Sequence, residues 1–329
     1  MSSQGTSVGR GTEQGVGPGL PIPRGWYLAL YGDELPVGGV RSLDYVARRL
    51  VAHRGEDGVA AIADAYCPHL GAHLGIGGKV VGSALRCPFH GWEWDRSGAC
   101  RRIPYAQRIP AQARLRTFPV AERNGAIWFW YDPDEEAPGF EVPVLAEYDG
   151  PEFGRDWHHV VWTVRTHPQE ILENGIDWPH SLPVHGFDPP SGGIAEFDGP
   201  VYRWGADTGK TIELLDERRE RFSFRVESWG LGLSHVHYDG LFSVIFQIGQ
   251  TPIDATTTRI AFSILTRARD REDPAIGPAL ERYVADKVRT FEQDFPIWEN
   301  KVHRARPLLC DGDGPIHAFR RWAAQFLPG

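Results

Sequence analysis

The chain has 329 residues, a formal net charge of −8 and 24% charged residues, values that are ordinary for a soluble globular protein with room for two domains. The acidic balance argues against a nucleic-acid partner, because DNA-binding proteins usually carry a basic face. No apolar run approaches the roughly 20 residues that cross a bilayer, so the sequence predicts no transmembrane segment. With only 4 cysteines, the composition favours a cytoplasmic, reduced protein with metal-binding thiols over a disulfide scaffold.

The first half of the chain is predicted to be a small antiparallel β domain. Residues 1–20 are rich in Gly, Ser, Thr and Gln and lack the apolar stretch of a signal peptide, which predicts a disordered tail. Gly and Pro clusters then separate short apolar runs through residues 21–140. The predicted strands are Trp26–Leu30, Leu50–His53, Val59–Ala63 and Ile127–Tyr131. The acidic, Pro-rich run Asp132–Pro143 indicates the boundary with the next domain.

The second half, residues 141–329, is predicted to be a larger domain of mixed structure. His167–Asp177 has a helical pattern, and Pro274–Glu299 has apolar residues three to four positions apart, which predicts a long amphipathic helix. Strand-like segments lie between them at Thr211–Leu215, Phe222–Trp229, Leu241–Ile248 and Arg259–Leu265. The predicted fold class is therefore α+β, with an antiparallel sheet gripping a long C-terminal helix.

Two loops of the first domain each pair a thiol with an imidazole. The first contains Cys67 and His69, and the second, seventeen residues later, contains Cys87 and His90. Two thiolates and two imidazoles could hold a tetrahedral zinc ion, or a 2Fe–2S cluster with both histidines on one iron. Zinc fingers usually pair like ligands in each knuckle, whereas each loop here supplies one ligand of each kind. The mixed loops therefore favour the cluster.

A second group of metal-binding residue types lies in the larger domain. Glu173, Asp177 and His180 follow one another at intervals of four and three, which predicts one face of a helix. His185 comes five residues later, and the intervening prolines are expected to bend the segment so that both histidines converge. Two histidines and one carboxylate leave positions open for O₂ and substrate at a mononuclear Fe(II). The third ligand must then be a carboxylate remote in sequence.

The two thiol–imidazole loops resemble the signature of Rieske proteins, and Ala61–Trp94 is similar to the oxygenase branch of that family. Respiratory Rieske proteins carry an additional cysteine in each loop, where this chain has Ala72 and Phe89. The resemblance implies a low-potential 2Fe–2S cluster on Cys67, His69, Cys87 and His90. It also implies a ferredoxin or flavin reductase as partner, through which NAD(P)H is used indirectly.

The same resemblance implies roles for three acidic residues. Asp294 is the implied third iron ligand, beside His180 and His185, with Glu292 as the competitor. Asp177 matches the carboxylate that lies between the two metal sites without binding iron. Because this carboxylate connects the cluster of one subunit to the iron of its neighbour, the resemblance implies a homotrimer.

Segments outside the metal motifs carry a closer resemblance, to the 3-ketosteroid 9α-hydroxylases and the Neverland-type cholesterol 7-desaturases. These segments are Asp64–Tyr66, Ile103–Ala106, Pro307–Cys310, Asp313–Pro315 and Phe319–Trp322. They imply a terminal oxygenase that uses O₂ to hydroxylate or desaturate a hydrophobic substrate such as a sterol or steroid. The alternative enzyme is an aromatic hydroxylase or an O- or N-demethylase.

The substrate pocket is less well defined by the sequence. Gly186–Gly209 matches no segment of these enzymes and is expected to border the pocket, together with Leu231–Leu233 and Leu241–Ile248. Two alternative functions outside the enzymes are a Rieske electron carrier and a zinc-binding structural protein. A carrier would not need the second group of metal-binding residues, and a zinc protein would contain no iron.

Overall fold

The computed structural model describes residues 19–212 and 215–328, so most of the predicted tail lies outside the described residues. The first half contains strands β1 Gly25–Tyr31, β2 Val40–Tyr45, β3 Arg48–Arg54, β4 Ala60–Asp64, β5 Lys79–Val81, β6 Ala84–Arg86, β7 Glu93–Trp94, β8 Cys100–Arg102, β9 Thr117–Phe118, β10 Val120–Arg123 and β11 Ala126–Tyr131. A 3₁₀ turn, Gly32–Glu34, follows β1.

The second half adds strands β12 His158–Val164, β13 Ser191–Asp198, β14 Val201–Ile212, β15 Arg218–Trp229, β16 Leu233–Asp239, β17 Ser243–Pro252 and β18 Thr258–Thr266. Its helices are α1 Ala146–Asp149, α2 Pro168–Glu173, α3 Ser181–His185, α4 Ala268–Glu272, α5 Gly277–Glu292, α6 Phe295–Asn300 and α7 Ile316–Ala323, with 3₁₀ turns at Trp178–His180 and Ala324–Phe326. Of the predicted strand Thr211–Leu215, Thr211 and Ile212 form the end of β14, Leu215 lies in a 3₁₀ turn, and residues 213–214 lie outside the described part.

Three small antiparallel sheets form the first half. They have the strand orders β1-β11-β10, β2-β3-β4-β9 and β5-β6-β7-β8. The first two sheets share one core, in which Tyr27, Leu50 and Phe129 are fully buried. The third sheet packs around the two thiol–imidazole loops, and Trp94 is fully buried beneath them. The predicted small β domain is confirmed in kind, while its boundary at residue 140 stays a prediction.

One antiparallel sheet of seven strands dominates the second half, in the order β12-β18-β17-β16-β15-β14-β13. Side chains alternate between its two faces, so Phe246, Ile248 and their neighbours on adjacent strands form one apolar face. Helices α5 and α6 lie against that face and bury Tyr283 and Trp298 in it. The predicted α+β class, with an antiparallel sheet packed against the C-terminal helical region, is therefore confirmed. Among the described residues, no helix is long and apolar enough to cross a membrane.

The C-terminal helix differs from its prediction. A single helix was expected through residue 299, but α5 ends at Glu292 and α6 begins at Phe295. Pro296 lies in the first turn of α6, where its missing N–H and its fixed φ are tolerated. The junction leaves Asp294 at the N-cap of α6 rather than inside a long helix.

The predicted helix His167–Asp177 is also shorter than expected. Helix α2 ends at Glu173, and Asp177 has φ −81° and ψ 64°, which is not helical. The expectation that Glu173, Asp177 and His180 share one helix face is therefore wrong. After the break, Pro179 lies in the first turn of the 3₁₀ segment Trp178–His180, where its missing N–H is tolerated.

Candidate metal centres and substrate cavity

The two loops that carry the paired thiols and imidazoles repeat one hydrogen-bond pattern. In the first, the Cys67 amide donates to Ala72 O at 2.9 Å, and the Gly71 amide donates to Cys67 O at 2.9 Å. In the second, the Cys87 amide donates to Trp92 O at 2.8 Å, and the Gly91 amide donates to Cys87 O at 3.1 Å. Gly71 and Gly91 have φ of +75° and +71°, a conformation that other residues rarely adopt. Equivalent turns thus present equivalent ligands.

The side chains of these loops converge. The rings of His69 and His90 are 4.7 Å apart between centroids, and Cys67 and Cys87 are buried at 2% and 3% exposure. Burial raises the pKa of the Cys67 thiol to about 11, and the neighbouring Cys87 adds to that effect. His90 Nδ1 is buried without a hydrogen-bond partner. Two neighbouring buried thiols, whose thiolate forms would need a metal for charge compensation, fit a 2Fe–2S cluster, as does an imidazole nitrogen that lacks a partner.

The second centre brings together three residues from distant parts of the chain. His180 lies at the end of a 3₁₀ turn, His185 at the end of α3, and Asp294 at the N-cap of α6. His185 Nε2 is 3.3 Å from His180 Nε2 and 3.4 Å from Asp294 Oδ1. One ligand atom from each residue lies within 4.8 Å of the others. Asp294 Oδ1 is buried without a hydrogen-bond partner, which fits a site for a metal ion.

Other groups fix the orientation of both imidazoles. His180 Nδ1 lies in hydrogen-bond contact with Asp177 O, and His185 Nδ1 is 3.0 Å from Gln293 Oε1. Because both acceptors are carbonyl oxygens, each ring donates from Nδ1, which leaves a lone pair on Nε2. His180 Nε2 accepts a hydrogen bond from Asn174 Nδ2 at 3.1 Å. Asn174 Nδ2 donates to Asp294 Oδ2 at 3.0 Å and holds that carboxylate in place.

The remaining acids of this region are positioned differently. Glu292 accepts a hydrogen bond from Trp162 Nε1 at 2.9 Å and is exposed, away from the two histidines. Asp177 Oδ2 lies 3.9 Å from His180 Nδ1, and its side chain is 43% exposed. Glu173 is buried and receives two hydrogen bonds from Arg320 of α7, at 2.6 Å and 2.8 Å. Glu173 therefore anchors α2 to α7 and is not part of the group formed by His180, His185 and Asp294.

A deep cavity lies between the concave face of the sheet and helices α2, α3 and α5. Its volume is about 220 Å³. His180, His185 and Asp294 form part of its wall. Aromatic and aliphatic side chains form most of the remainder, among them Trp178, Phe187, Trp204, Phe224, Phe246 and Phe262. The cavity can therefore hold a large apolar molecule beside the metal-binding residues.

The cavity tests the predicted lining segments. Gly186–Gly209 supplies Phe187, Trp204 and other lining residues, so that prediction is confirmed. From Leu241–Ile248, only Phe246 and Ile248 line the cavity. The prediction for Leu231–Leu233 is wrong, because Leu231 and Leu233 are buried in cores outside the cavity. In a strand, only alternate residues face one side, and the sequence alone did not identify which side.

Several site residues were missed by the sequence reasoning. Asn174 and Gln293 each stand next to a predicted site segment, yet their neutral amides carry no motif signal. Gln250 lines the cavity with its Oε1 buried and unpartnered. Lys287 lines it too, and its position on the buried face of α5, seven residues before Asp294, was a readable signal. His73 and Cys100, which were not predicted as ligands, are bound locally, His73 to the Gly75 amide and Cys100 to Arg102 O.

Comparisons with known proteins agree with this geometry. Residues 129–327 match the 3-ketosteroid 9α-hydroxylase C-terminal domain family, and residues 25–119 match the Rieske 2Fe–2S domain family. The chain belongs to this family of Rieske oxygenases. As a Rieske oxygenase it uses a 2Fe–2S cluster, a mononuclear iron and O₂, with electrons from a reductase or ferredoxin partner. The predicted enzyme class and cofactors are confirmed.

Individual relatives of this Rieske oxygenase span most of its length. A cholesterol 7-desaturase of Bombyx mori is 33% identical over 326 residues, which cover 93% of this chain and 70% of the relative. The oxygenase component of a 3-ketosteroid-9-alpha-monooxygenase of Rhodococcus rhodochrous is 29% identical over 317 residues, covering 92% and 79%. The crystal structure of dicamba monooxygenase bound to dicamba matches with a TM-score of 0.73 at 20% identity, covering 93% and 98%, and thus shares the fold.

Proposed function

We propose that this Rieske oxygenase oxidises a sterol or steroid at an unactivated C–H bond. The observation that carries the proposal is the apolar cavity, which has His180, His185 and Asp294 in its wall. The relatives named for cholesterol and 3-ketosteroids, each matched over more than nine-tenths of this chain, support the same substrate class. The mononuclear iron supplies O₂ activation when it is bound. The residues of the cavity wall position the substrate and thereby select which of many similar carbons is oxidised.

The ligands of the cluster are proposed to be Cys67, His69, Cys87 and His90. Their convergence, the burial of both thiols and the unpartnered Nδ1 of His90 support this assignment. The ring of Trp92 stacks on His69 at 4.5 Å, and its Nε1 donates to Tyr105 OH at 2.8 Å. Trp92 thereby shields one face of a ligand imidazole from water.

The purified protein is therefore expected to contain acid-labile sulfide and a reduced-state EPR signal with a low average g-value, because the histidines bind only one of two irons. Cys87→Ser is expected to remove the signal and most of the sulfide. Cys100→Ser is the matched control, since Cys100 is also buried but bonded to Arg102 O. Stoichiometric zinc without labile sulfide in the native protein would overturn the assignment.

The ligands of the mononuclear iron are proposed to be His180, His185 and Asp294. Both imidazoles offer Nε2, and Asp294 Oδ1 is the nearest carboxylate oxygen. Glu292 is not included, because it bonds to Trp162 and is exposed. The residues of the chain have three tasks here: His180 and His185 keep their Nδ1 protons, Asn174 holds the carboxylate, and the aromatic wall excludes water from the reacting carbon.

Asp177 is proposed to connect the two centres across a homotrimer interface. Its carboxylate lies 3.9 Å from His180 Nδ1 and is partly open to solvent, so a second group can approach it from outside. Next to His69 and His90 in the chain, Leu70 and Phe89 are 66% and 61% exposed, which favours a protein contact at this apolar surface. A carboxylate shared by two ligand imidazoles would fix both rings for electron transfer. A cytoplasmic location, with a soluble reductase as electron donor, is part of the same proposal.

Turnover of candidate substrates tests the substrate class. We expect holoenzyme, a competent reductase and NADH to oxidise cholesterol or a 3-ketosteroid with electron use coupled to product, because only a large apolar molecule displaces water along the whole wall. The expected product is an alcohol or an alkene, separated by mass. A methoxybenzoate serves as the comparison substrate. Coupled turnover of the methoxybenzoate alone would assign the chain to the demethylases instead.

A further inference from the structure

A buried group of charged residues adjoins the cavity on the side of α5. Lys287 Nζ lies 2.9 Å from Glu220 Oε2 and 2.8 Å from Tyr238 OH. Lys210 Nζ lies 2.7 Å from Asp286 Oδ2. The side chains of Lys287, Glu220, Lys210 and Asp286 are all below 10% exposure. We call these four residues the charged cluster.

Only one lysine of the charged cluster lines the cavity. Lys287 and Tyr238 both line the cavity, whereas Lys210 does not. The Lys287 ammonium stands over the rings of Tyr283 and Tyr238, at 4.2 Å and 4.3 Å from their centroids, and these contacts fix its position. Stability alone does not explain the arrangement, because a buried ion pair is usually no better than well-packed apolar residues.

One of the three N–H groups of the Lys287 ammonium has no hydrogen-bond acceptor among the described residues. An ammonium has three N–H groups. Among the described residues, Glu220 and Tyr238 accept two of them, and Asp286 Oδ2 lies at 3.7 Å, too far for a hydrogen bond. Burial lowers the pKa of Lys287 to about 8, with Glu220 opposing the shift, so the charged form prevails near neutral pH. One N–H therefore remains for a molecule in the cavity.

The spacing of Lys287 and Asp294 along the chain gives the distance between the charged cluster and the proposed iron ligands. Asp294 comes seven positions later, and although α5 ends at Glu292, the backbone angles of Gln293 and Asp294 remain in the right-handed helical region. Two turns of helix place both residues on one face, about 10 Å apart along the axis at 1.5 Å per residue. Thr290 and Phe291, also on this face, line the cavity between them. This span is comparable with the length of a fused four-ring nucleus.

The charge balance indicates which oxygen would bind. The charged cluster contains two ammonium groups and two carboxylates, so its net charge is zero. A carboxylate in the cavity would leave one buried negative charge without a counterion, at a high cost. A ketone or hydroxyl oxygen would accept the N–H without adding charge.

We infer that Lys287 is a specificity-determining residue that hydrogen-bonds a neutral ketone or hydroxyl oxygen at the end of the substrate remote from the iron. This inference rests on the proposed steroid substrate. It adds that substrate recognition depends on one polar contact about 10 Å along α5 from the Asp294 position. A substrate held there by its oxygen presents a fixed carbon to the reacting centre.

Binding of matched steroids to the iron-loaded enzyme without O₂ tests the inference. The probes are a 3,17-diketosteroid, its two analogues that each lack one ketone, and a steroid with a terminal carboxylate. In the parent enzyme, loss of one of the two ketones is expected to weaken binding about 10- to 100-fold, the usual effect of a hydrogen bond to a charged group. In Lys287→Met, the same pair of steroids is expected to bind within about threefold of each other.

Two further variants separate recognition from folding. Lys287→Met/Glu220→Gln removes both charges of the ion pair and tests the same loss of discrimination if Lys287→Met alone fails to fold. Lys210→Met is the matched control, because it removes an equally buried ammonium that does not line the cavity. It is expected to retain the discrimination of the parent enzyme.

The outcomes are distinguishable. If the parent enzyme binds none of the steroids, the proposed substrate class fails. If it binds all three ketosteroids equally, or if Lys287→Met and the double variant keep the discrimination, the role of Lys287 is overturned while the substrate class stands. Preferential binding of the carboxylate that disappears in Lys287→Met would overturn the choice of a neutral oxygen.

Discussion

Asp294→Ala is expected to abolish substrate oxidation and to empty the mononuclear site while the cluster stays intact. The variant removes the only carboxylate oxygen found beside both imidazoles among the described residues. The loss of activity should exceed the roughly 10- to 100-fold typical of losing an outer-shell partner. Iron analysis should show loss of the mononuclear share alone, with unchanged acid-labile sulfide and an unchanged EPR signal of the reduced cluster.

Glu292→Ala is the matched control for this prediction. Glu292 is two residues away and equally acidic, but it is exposed and bonds to Trp162. We expect it to retain iron and most of the activity. Loss of iron in Glu292→Ala with retention in Asp294→Ala would show that the third ligand is assigned to the wrong acid.

Asp177→Asn is expected to leave both metal centres loaded and to slow electron delivery to the mononuclear site about 10- to 100-fold. The amide keeps the shape of the side chain but removes the charge that lies 3.9 Å from His180 Nδ1. Iron and sulfide content should equal those of the parent. Rapid mixing of reduced enzyme with substrate and O₂ should show slow oxidation of the cluster signal.

Asp313→Asn is a suitable control, because Asp313 contributes to the electrostatic environment of Asp177 but bonds to the Cys310 amide. We expect its rate of cluster oxidation to match that of the parent. An Asp177→Asn enzyme that loses its mononuclear iron, together with a fully active Asp294→Ala enzyme, would reverse the two assignments.

The cluster loops were readable from the sequence because their ligands are local. Cys67 and His69 are two residues apart, and the flanking glycines, proline and short strands allow few other shapes. The same holds for His180 and His185, which the prolines bring together over five residues. Asp294 was accessible only through resemblance, since no spacing rule connects residues more than a hundred positions apart.

The unpredicted parts of the site depend on tertiary contacts. The spacing of apolar residues in Pro274–Glu299 stays helical across the break between α5 and α6. The sequence pattern therefore did not reveal that α5 ends at Glu292. The partner of Glu173 is Arg320, far along the chain, and a local pattern suggested a helix face instead. Which strand residues face the cavity is set by register, and a shift of one residue reverses every side chain.

The free edge of the large sheet has a consequence for the behaviour of the protein at high concentration. Strand β13 is the last strand on one side, and its pairing with β14 is interrupted between Ser191 and Ile194, where Gly192 has φ +65°. Beyond the irregularity, Glu196 and Asp198 place negative charges along the edge. An irregular, charged edge is a poor template for an added strand, so β13 disfavours intermolecular strand pairing at its edge of the sheet.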